Sequence, residues 1–146
     1  MEEIKKITDK KHRYWELLLM ADPSREMVER YLSQGEMFVL EQDGKAVAEA
    51  VMLYLPEGIW ELKNIAVSEP FQGKGLGRKM MDFLKQRYRE YPIQVGTSDS
   101  GVGFYQKMGF SYSHRVERFF IDHYPEPIWD NGIQCIDMIY LKKDPD

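Results

Sequence analysis

The chain has 146 residues, of which 43% are hydrophobic and 30% are charged, a composition typical of one folded domain. Its net charge of −4 argues against a broad nucleic-acid-binding surface. The charged start lacks the apolar segment of a signal peptide, and no stretch has the length and apolarity of a membrane span. The single cysteine, Cys135, cannot form an internal disulfide, which fits a reducing compartment and predicts a cytoplasmic protein. With no repeat or linker in view, we expect one domain over residues 1–146.

Hydrophobic periodicity predicts the elements. In chain order these are a strand at 2–7, helices at 10–21 and 23–34, strands at 37–42, 45–55 and 59–67, a helix at 75–91, a strand at 93–97, a helix at 103–108, and strands at 110–121 and 134–141. Asp22 and Pro23 are interpreted as the N-cap and first residue of the second helix. Asp43-Gly44 is a hairpin turn pair.

The order of these elements predicts the fold class. Hairpins in the first half favour antiparallel pairing, and the strand–helix–strand passage at 59–97 favours a parallel crossover. We therefore expect an α/β (α+β) domain. Its mixed, mostly antiparallel sheet would have about six to seven strands, flanked by about four helices.

A glycine-rich segment stands between the third hairpin strand and the strongest amphipathic helix. Three glycines, Gly73, Gly75 and Gly77, lie within five residues, so the backbone can approach a ligand closely. The unpaired amides that begin a helix bind phosphate, and Lys74 and Arg78 add cationic donors. The spacing fits neither the nucleoside-triphosphate loop nor the dinucleotide fingerprint. Two other interpretations of this segment remain: a turn that only caps a core helix, and a binding site for another nucleotide.

Two motifs in the right order resemble the GCN5-related N-acetyltransferase (GNAT) family. The family signature Gln/Arg-x-x-Gly-x-Gly/Ala is matched at each position by Gln72-Gly73-Lys74-Gly75-Leu76-Gly77. The family's Phe-Tyr-x-x-x-Gly-Phe segment is matched by residues 104–110. One departure is Ser98, where the family often has asparagine. With the element order, the resemblance covers nearly the whole chain.

The resemblance implies acetyl-CoA as cosubstrate. It implies pantetheine pairing along the strand end, pyrophosphate binding by the glycine loop, and further contacts from the Phe-Tyr segment. The residues so assigned are Ile65, Ala66, Val67, Gln72, Gly73, Lys74, Gly75, Leu76, Gly77, Arg78, Ser98, Phe104 and Tyr105. No metal site is expected, because the three histidines lack ligand spacing.

The resemblance also implies direct attack of an amine on the thioester, with two candidate catalytic residues. Glu61 is the candidate base, since some members of the family place a glutamate at the same distance before this strand end. Strict alternation would put Glu61 on one strand face with Ile65 and Val67. Tyr105 is the candidate acid for the leaving thiolate, because a phenol is protonated at neutral pH. Both residues also fit purely structural roles, and Glu49 is a second candidate base.

The acceptor is expected at the first two helices and at the loop over 121–133. That loop carries the candidate substrate-binding residues His123, Tyr124 and Trp129, together with carboxylates, a combination that suits a cationic amine. We expect a small amine, or an amino group of a peptide. A non-catalytic acyl-CoA-binding sensor is the alternative, and the sequence leaves a homodimer open.

Overall fold

A computed structural model describes residues 1–146. The strands are Glu2–Ile7 (β1), Glu36–Gln42 (β2), Lys45–Tyr54 (β3), Trp60–Val67 (β4), Ile93–Thr97 (β5), Ser111–Val116 (β6), Ile128–Asp130 (β7), Ile133–Cys135 (β8) and Met138–Lys143 (β9). The α-helices are Trp15–Ala21 (α1), Arg25–Leu32 (α2), Leu76–Arg87 (α3), Val102–Lys107 (α4) and Phe119–His123 (α5). No helix is long and apolar enough to span a membrane.

Seven strands form one sheet in the order β1-β2-β3-β4-β5-β9-β6. All neighbours in it are antiparallel except β4 and β5, which run parallel on either side of the α3 crossover. Strands β7 and β8 form a separate hairpin. The predicted mixed, mostly antiparallel α/β fold is confirmed.

The sheet separates two apolar cores. One face packs against α3 and α4 through side chains such as Met80, Leu84 and Tyr105. The other face packs against α1 and α2 through Leu18, Val28 and their neighbours. Because each helix pair buries an apolar stripe on its own face, the sheet is covered on both sides.

A β-bulge at Lys63 interrupts the alternation of β4. Val51 of β3 pairs with Asn64 and Met52 pairs with Leu62, so Lys63 has no partner opposite it. Beyond the bulge, Ile65 and Val67 pack on the α3 side of the sheet. Glu61 instead borders a cavity beside Met27 and Tyr31 of α2. The prediction that Glu61 shares a face with Ile65 and Val67 is therefore wrong, because it assumed an unbroken period of two.

Helix boundaries also differ from the prediction. The helix expected at 10–21 begins as α1 at Trp15, after a short 3-10 turn over Lys11–Tyr14. Helix α3 ends at Arg87 rather than at residue 91, and the chain turns before Pro92. The N-cap of α2 is Ser24 rather than Asp22, since the Ser24 hydroxyl accepts a hydrogen bond of 3.2 Å from the amide of Met27. Asp22 is thereby free for another role.

The C-terminal region departs most from the prediction. The strand expected at 110–121 ends at Val116, and α5 follows it. The strand expected at 134–141 is divided into the end of β8 and most of β9. Asn131 and Gly132 both have positive φ and turn β7 into β8. This Asn-Gly pair is a strong hairpin signal that could have revealed the extra hairpin.

Candidate active site

The parallel strands β4 and β5 separate halfway along their length. Their pairing ends at Leu62 with Val95. Beyond that point β4 continues beside β3 as far as Val67, and β5 continues beside β9 as far as Thr97. Backbone groups of β4 that point towards β5 therefore have no strand partner, and an extended ligand can pair with them. The predicted pantetheine-binding residues 65–67 lie in this open stretch.

A cavity of about 490 Å³ lies at the separation. Its walls come from the two separated strands, from the connection between α1 and α2, and from the segment that includes β7 and β8. Its lining includes Asp22, Lys63, Asn64, Ile65, Ser98, Tyr105, Tyr124, Trp129 and Cys135. Burial raises the pKa of the Cys135 thiol, which keeps it neutral and unsuited to nucleophilic attack.

The glycine loop opens helix α3 beside this separation. Gly73 and Gly75 have φ of 77° and 81°, and a Cβ at either would meet no atom within 4 Å. Gly75 is the N-cap and supplies no side-chain acceptor, so the first amides of α3 stay available for an anion. Lys74 and Arg78 are exposed, and neither forms an ion pair.

Other loop residues act through different groups. The side chain of Gln72 donates a hydrogen bond of 2.9 Å to the carbonyl of Val67, which ties the loop to the end of β4. Leu76 is buried in the core on the α3 side, so only its backbone can face a ligand. An added Cβ on Gly77 would come within 3.9 Å of the Phe104 ring, which places that half-exposed ring over the start of α3.

Tyr105, on α4, lines the cavity. The side chain is 8% exposed, and its hydroxyl makes no hydrogen bond within the protein. Burial raises the pKa of Tyr105 to about 12, so the phenol stays protonated at neutral pH. Tyr105 is thus a protonated hydroxyl at the cavity, and no hydrogen bond within the protein competes for its proton.

Glu61 borders a second cavity of about 350 Å³ rather than the one that holds Tyr105. It is 6% exposed, and it accepts hydrogen bonds from Lys63 Nζ at 2.6 Å and from Gln94 Nε2. Glu49 is fully buried and lines neither cavity. The two cavities are neighbours, because they share the wall formed by Asp22, Leu62, Lys63, Gly96, Tyr124 and Met138.

Only two of the three predicted acceptor-binding residues line the cavities. Tyr124 lines both cavities, and Trp129, 63% exposed, lines the first. His123 lies outside both and packs against Phe119 with a ring separation of 4.5 Å. Ser98 lines the first cavity, where its hydroxyl lies 3.3 Å from the Asp130 carboxylate.

Sequence reasoning missed two residues on the shared wall. Asp22 was assigned to a helix cap, and its contact with Tyr124 joins residues that are 102 positions apart. Lys63 forms an ion pair with Glu61, and the sequence does not predict its position at a bulge and on both cavities. No local sequence signal marks either position.

Comparison with known proteins agrees with this geometry. Residues 33–112 match the family model described as an acetyltransferase (GNAT) domain. The Bacillus subtilis protein named uncharacterized N-acetyltransferase YvbK is 35% identical over 136 residues, which cover 89% of this chain and 88% of that protein. The chain therefore belongs to the GNAT family of acetyltransferases.

Solved structures give the same result for the fold. A GNAT family acetyltransferase from Elizabethkingia anophelis, solved with acetyl-CoA bound, is 36% identical with a TM-score of 0.91, over 98% of this chain and 97% of that one. An IAA acetyltransferase from Bacillus cereus is 35% identical with a TM-score of 0.90, over 99% of both chains. A Bacillus subtilis acetyltransferase in complex with CoA is 33% identical with a TM-score of 0.88, again over 99% of both chains.

Proposed function

We propose that this protein transfers the acetyl group of acetyl-CoA to a primary amine by direct attack. The observation that carries the proposal is the separation of β4 and β5 beyond Leu62 and Val95, which opens into a cavity beside the glycine loop. Two of the similar proteins were solved with acetyl-CoA or CoA bound, which supports the same cosubstrate here.

Acetyl-CoA would bind along one continuous path. The amides that begin α3 would hold the pyrophosphate, with Lys74 and Arg78 as nearby cations. The pantetheine arm would pair with residues 65–67 as an added strand. The Phe104 ring would border the cofactor near the loop, and the Ser98 hydroxyl would lie near the acetyl end. Leu76, whose side chain is buried in the core, would contribute its amide alone.

The reaction forms a C–N bond and breaks the C–S bond of the thioester. A free backbone amide of the separated part of β4 would stabilise the developing oxyanion. The electron pair of the broken bond leaves on sulfur, and the Tyr105 hydroxyl would donate a proton to that thiolate. The absence of any competing hydrogen bond at this hydroxyl supports the assignment.

The attacking amine must first lose a proton. Neutralising an alkylamine at neutral pH costs about 4–5 kcal/mol, since its pKa lies near ~10.4. Glu61 is the candidate base and would act through water, because it borders the neighbouring cavity rather than the one with Tyr105. Lys63 and Gln94 fix the orientation of its carboxylate.

The proposal is tested by two measurements on the full chain. We expect acetyl-CoA to raise the melting temperature, and ATP or NAD to leave it unchanged. We also expect release of the CoA thiol from acetyl-CoA to depend on a member of a primary-amine panel. Stabilisation by acetyl-CoA without turnover of any amine would favour a non-catalytic acyl-CoA-binding module. Stabilisation by ATP or NAD alone would favour a nucleotide-binding protein.

A further inference from the structure

Asp22 stands on the wall between the two cavities. It follows α1 directly, and it lines the cavity that holds Tyr105 as well as the one that holds Glu61. A group bound to its carboxylate would therefore lie between the candidate acid and the candidate base.

Only one of the two carboxylate oxygens of Asp22 has a hydrogen-bond partner in the protein. Both of its hydrogen bonds end on Oδ1, one from the amide of Ser24 at 3.1 Å and one from the hydroxyl of Tyr124 at 3.0 Å. Oδ2 accepts no hydrogen bond, although the residue is half-buried. Burial raises the pKa of Asp22, and the two hydrogen bonds and the charge of Lys63 offset that rise only in part.

The two cationic side chains that line these cavities are already paired. Lys63 forms an ion pair with Glu61 at 2.6 Å, and Arg30 forms one with Glu26 at 3.5 Å. Asp22 itself forms no ion pair. A half-buried carboxylate is stabilised by an ion pair with a cation. Because the cationic side chains of these walls are already paired, a bound ligand would supply that cation.

The surrounding walls suit an organic cation. Aromatic rings from four positions line the second cavity around this point: Tyr31, Phe119, Tyr124 and Tyr140. Ring faces attract alkylammonium groups, and they also accept the apolar body that carries such a group. An inorganic cation would have only one free carboxylate oxygen to bind, which is a poor site.

We propose that Asp22 binds the ammonium group of the acceptor and so selects cationic primary amines. This inference rests on the proposed function. The bound ammonium is either the nitrogen that is acetylated or a second one on a diamine, and both would use the free Oδ2. Asp22 is then a specificity-determining residue, distinct from the candidate base Glu61.

Kinetics of Asp22→Asn test the inference. Asparagine can still accept the bonds from Ser24 and Tyr124, so the connection between α1 and α2 is retained while the charge is lost. The acceptors are n-butylamine, 1,4-diaminobutane and O-methylhydroxylamine, of which the last is an uncharged amine at neutral pH. We expect the KM of a charged amine to rise about tenfold or more, and the KM of O-methylhydroxylamine and of acetyl-CoA to change by less than about twofold.

The matched control is Asp9→Asn, which removes an exposed carboxylate that lies between β1 and α1 and lines neither cavity. It should leave all KM values unchanged. Should Asp22→Asn lower the melting temperature, Asp22→Ser, which keeps a short polar acceptor, carries the same expectation.

Each outcome decides the inference. A rise in KM for both charged amines assigns Asp22 to the reacting nitrogen, and a rise for the diamine alone assigns it to a second ammonium. Wild-type turnover with no change in KM for any charged amine in the Asp22 variants overturns the inference and leaves the proposed function standing. Absence of wild-type turnover with every amine overturns both.

Discussion

Tyr105 and Glu61 differ in whether their polar groups are hydrogen-bonded within the protein. The Tyr105 hydroxyl has no hydrogen-bond partner in the protein, and the residue lines a cavity. The Glu61 carboxylate is held by Lys63 and Gln94 in the adjoining cavity. If the first donates a proton to sulfur and the second receives one from nitrogen, the kcat values of their replacements should depend differently on pH.

We therefore predict different pH profiles for Tyr105→Phe and Glu61→Gln. Glu61→Gln should lower kcat about a hundredfold at neutral pH, and the deficit should shrink as pH rises towards 9, because more of the amine is then already neutral. Tyr105→Phe should lower kcat about tenfold at each pH up to 9, because the raised pKa of Tyr105, about 12, keeps the wild-type phenol protonated throughout.

The control for this pair is Tyr112→Phe, which removes an exposed hydroxyl on the edge strand β6. It should leave kcat and its pH profile unchanged. Tyr105→Phe should alter the free energy of unfolding by less than about 0.5 kcal/mol, since no protein hydrogen bond is lost. Equal kcat in wild type and Tyr105→Phe would remove this residue from the mechanism, and a pH-independent deficit in Glu61→Gln would remove Glu61 as the base.

At the scale of elements, the start of α3 depends on a backbone conformation that glycine permits. Gly75 has φ of 81° and is the N-cap of the helix, and its carbonyl accepts the bond from Lys79 at 3.0 Å. A residue with a Cβ would strain this conformation by about 1 kcal/mol or more. Relaxation of that strain would turn the first amides of α3 away from a bound pyrophosphate.

Gly75→Ala should therefore lower both stability and affinity. The matched control is Gly44→Ala, because Gly44 has φ of 82° in the β2–β3 turn and an added Cβ there also meets no atom within 4 Å. In urea unfolding, we expect both variants to lose about 1 kcal/mol. In calorimetric titration, only Gly75→Ala should bind acetyl-CoA more weakly, by about tenfold. Equal affinity in the two variants would show that these amides do not hold the cofactor.

Most of the sheet and the glycine loop could be predicted, because their signals are local. Asp43-Gly44 predicts its hairpin, and the apolar runs of β2 and β3 predict two buried strands. The amphipathic stripe predicts α3, although its last turn is lost near Pro92. Each of these features depends on residues that are close together in the chain.

The acceptor side could not be predicted equally well, because it depends on contacts between distant residues. Asp22 meets Tyr124 across 102 positions, and only the folded chain shows that its Oδ2 is left free. The bulge at Lys63 arises from the register with β3, and it moves Glu61 to a different cavity from Tyr105. Periodicity within one strand contains no information about either.

At the scale of the whole molecule, a buried polar cluster joins the sheet to the α1–α2 layer. Asn64 of β4 donates hydrogen bonds to the carbonyl of Leu18 at 3.1 Å and to the hydroxyl of Tyr31 at 3.0 Å. On the same side of the sheet, Glu49 of β3 lies opposite Ala66, fully buried, and neither of its carboxyl oxygens has a partner in the protein. Burial without a compensating charge raises its pKa well above the usual value.

This buried carboxyl should make the stability of the fold depend on pH. The native state keeps the proton of Glu49 at pH values where the unfolded chain releases it. The contribution of this proton to the free energy of unfolding is therefore fully present below the ordinary pKa of about 4.5, and it is lost as pH rises from there towards the raised native pKa. The slope reaches at most about 1.4 kcal/mol per pH unit for one group. Glu49→Gln carries no titrating proton, so its stability should fall less steeply between about pH 5 and pH 8.

Urea unfolding of both proteins across that range measures the difference. Asp22 also has a raised pKa and is present in both, so its contribution cancels when one curve is subtracted from the other. Glu57→Gln, at an exposed turn, should keep the wild-type slope, because an exposed carboxyl has nearly the same environment folded and unfolded. Parallel curves for wild type and Glu49→Gln would mean that Glu49 is ionised and compensated in the native state. The two unpartnered oxygens would then need a cation or ordered water beneath α1 and α2, in place of the proton that we assign to them.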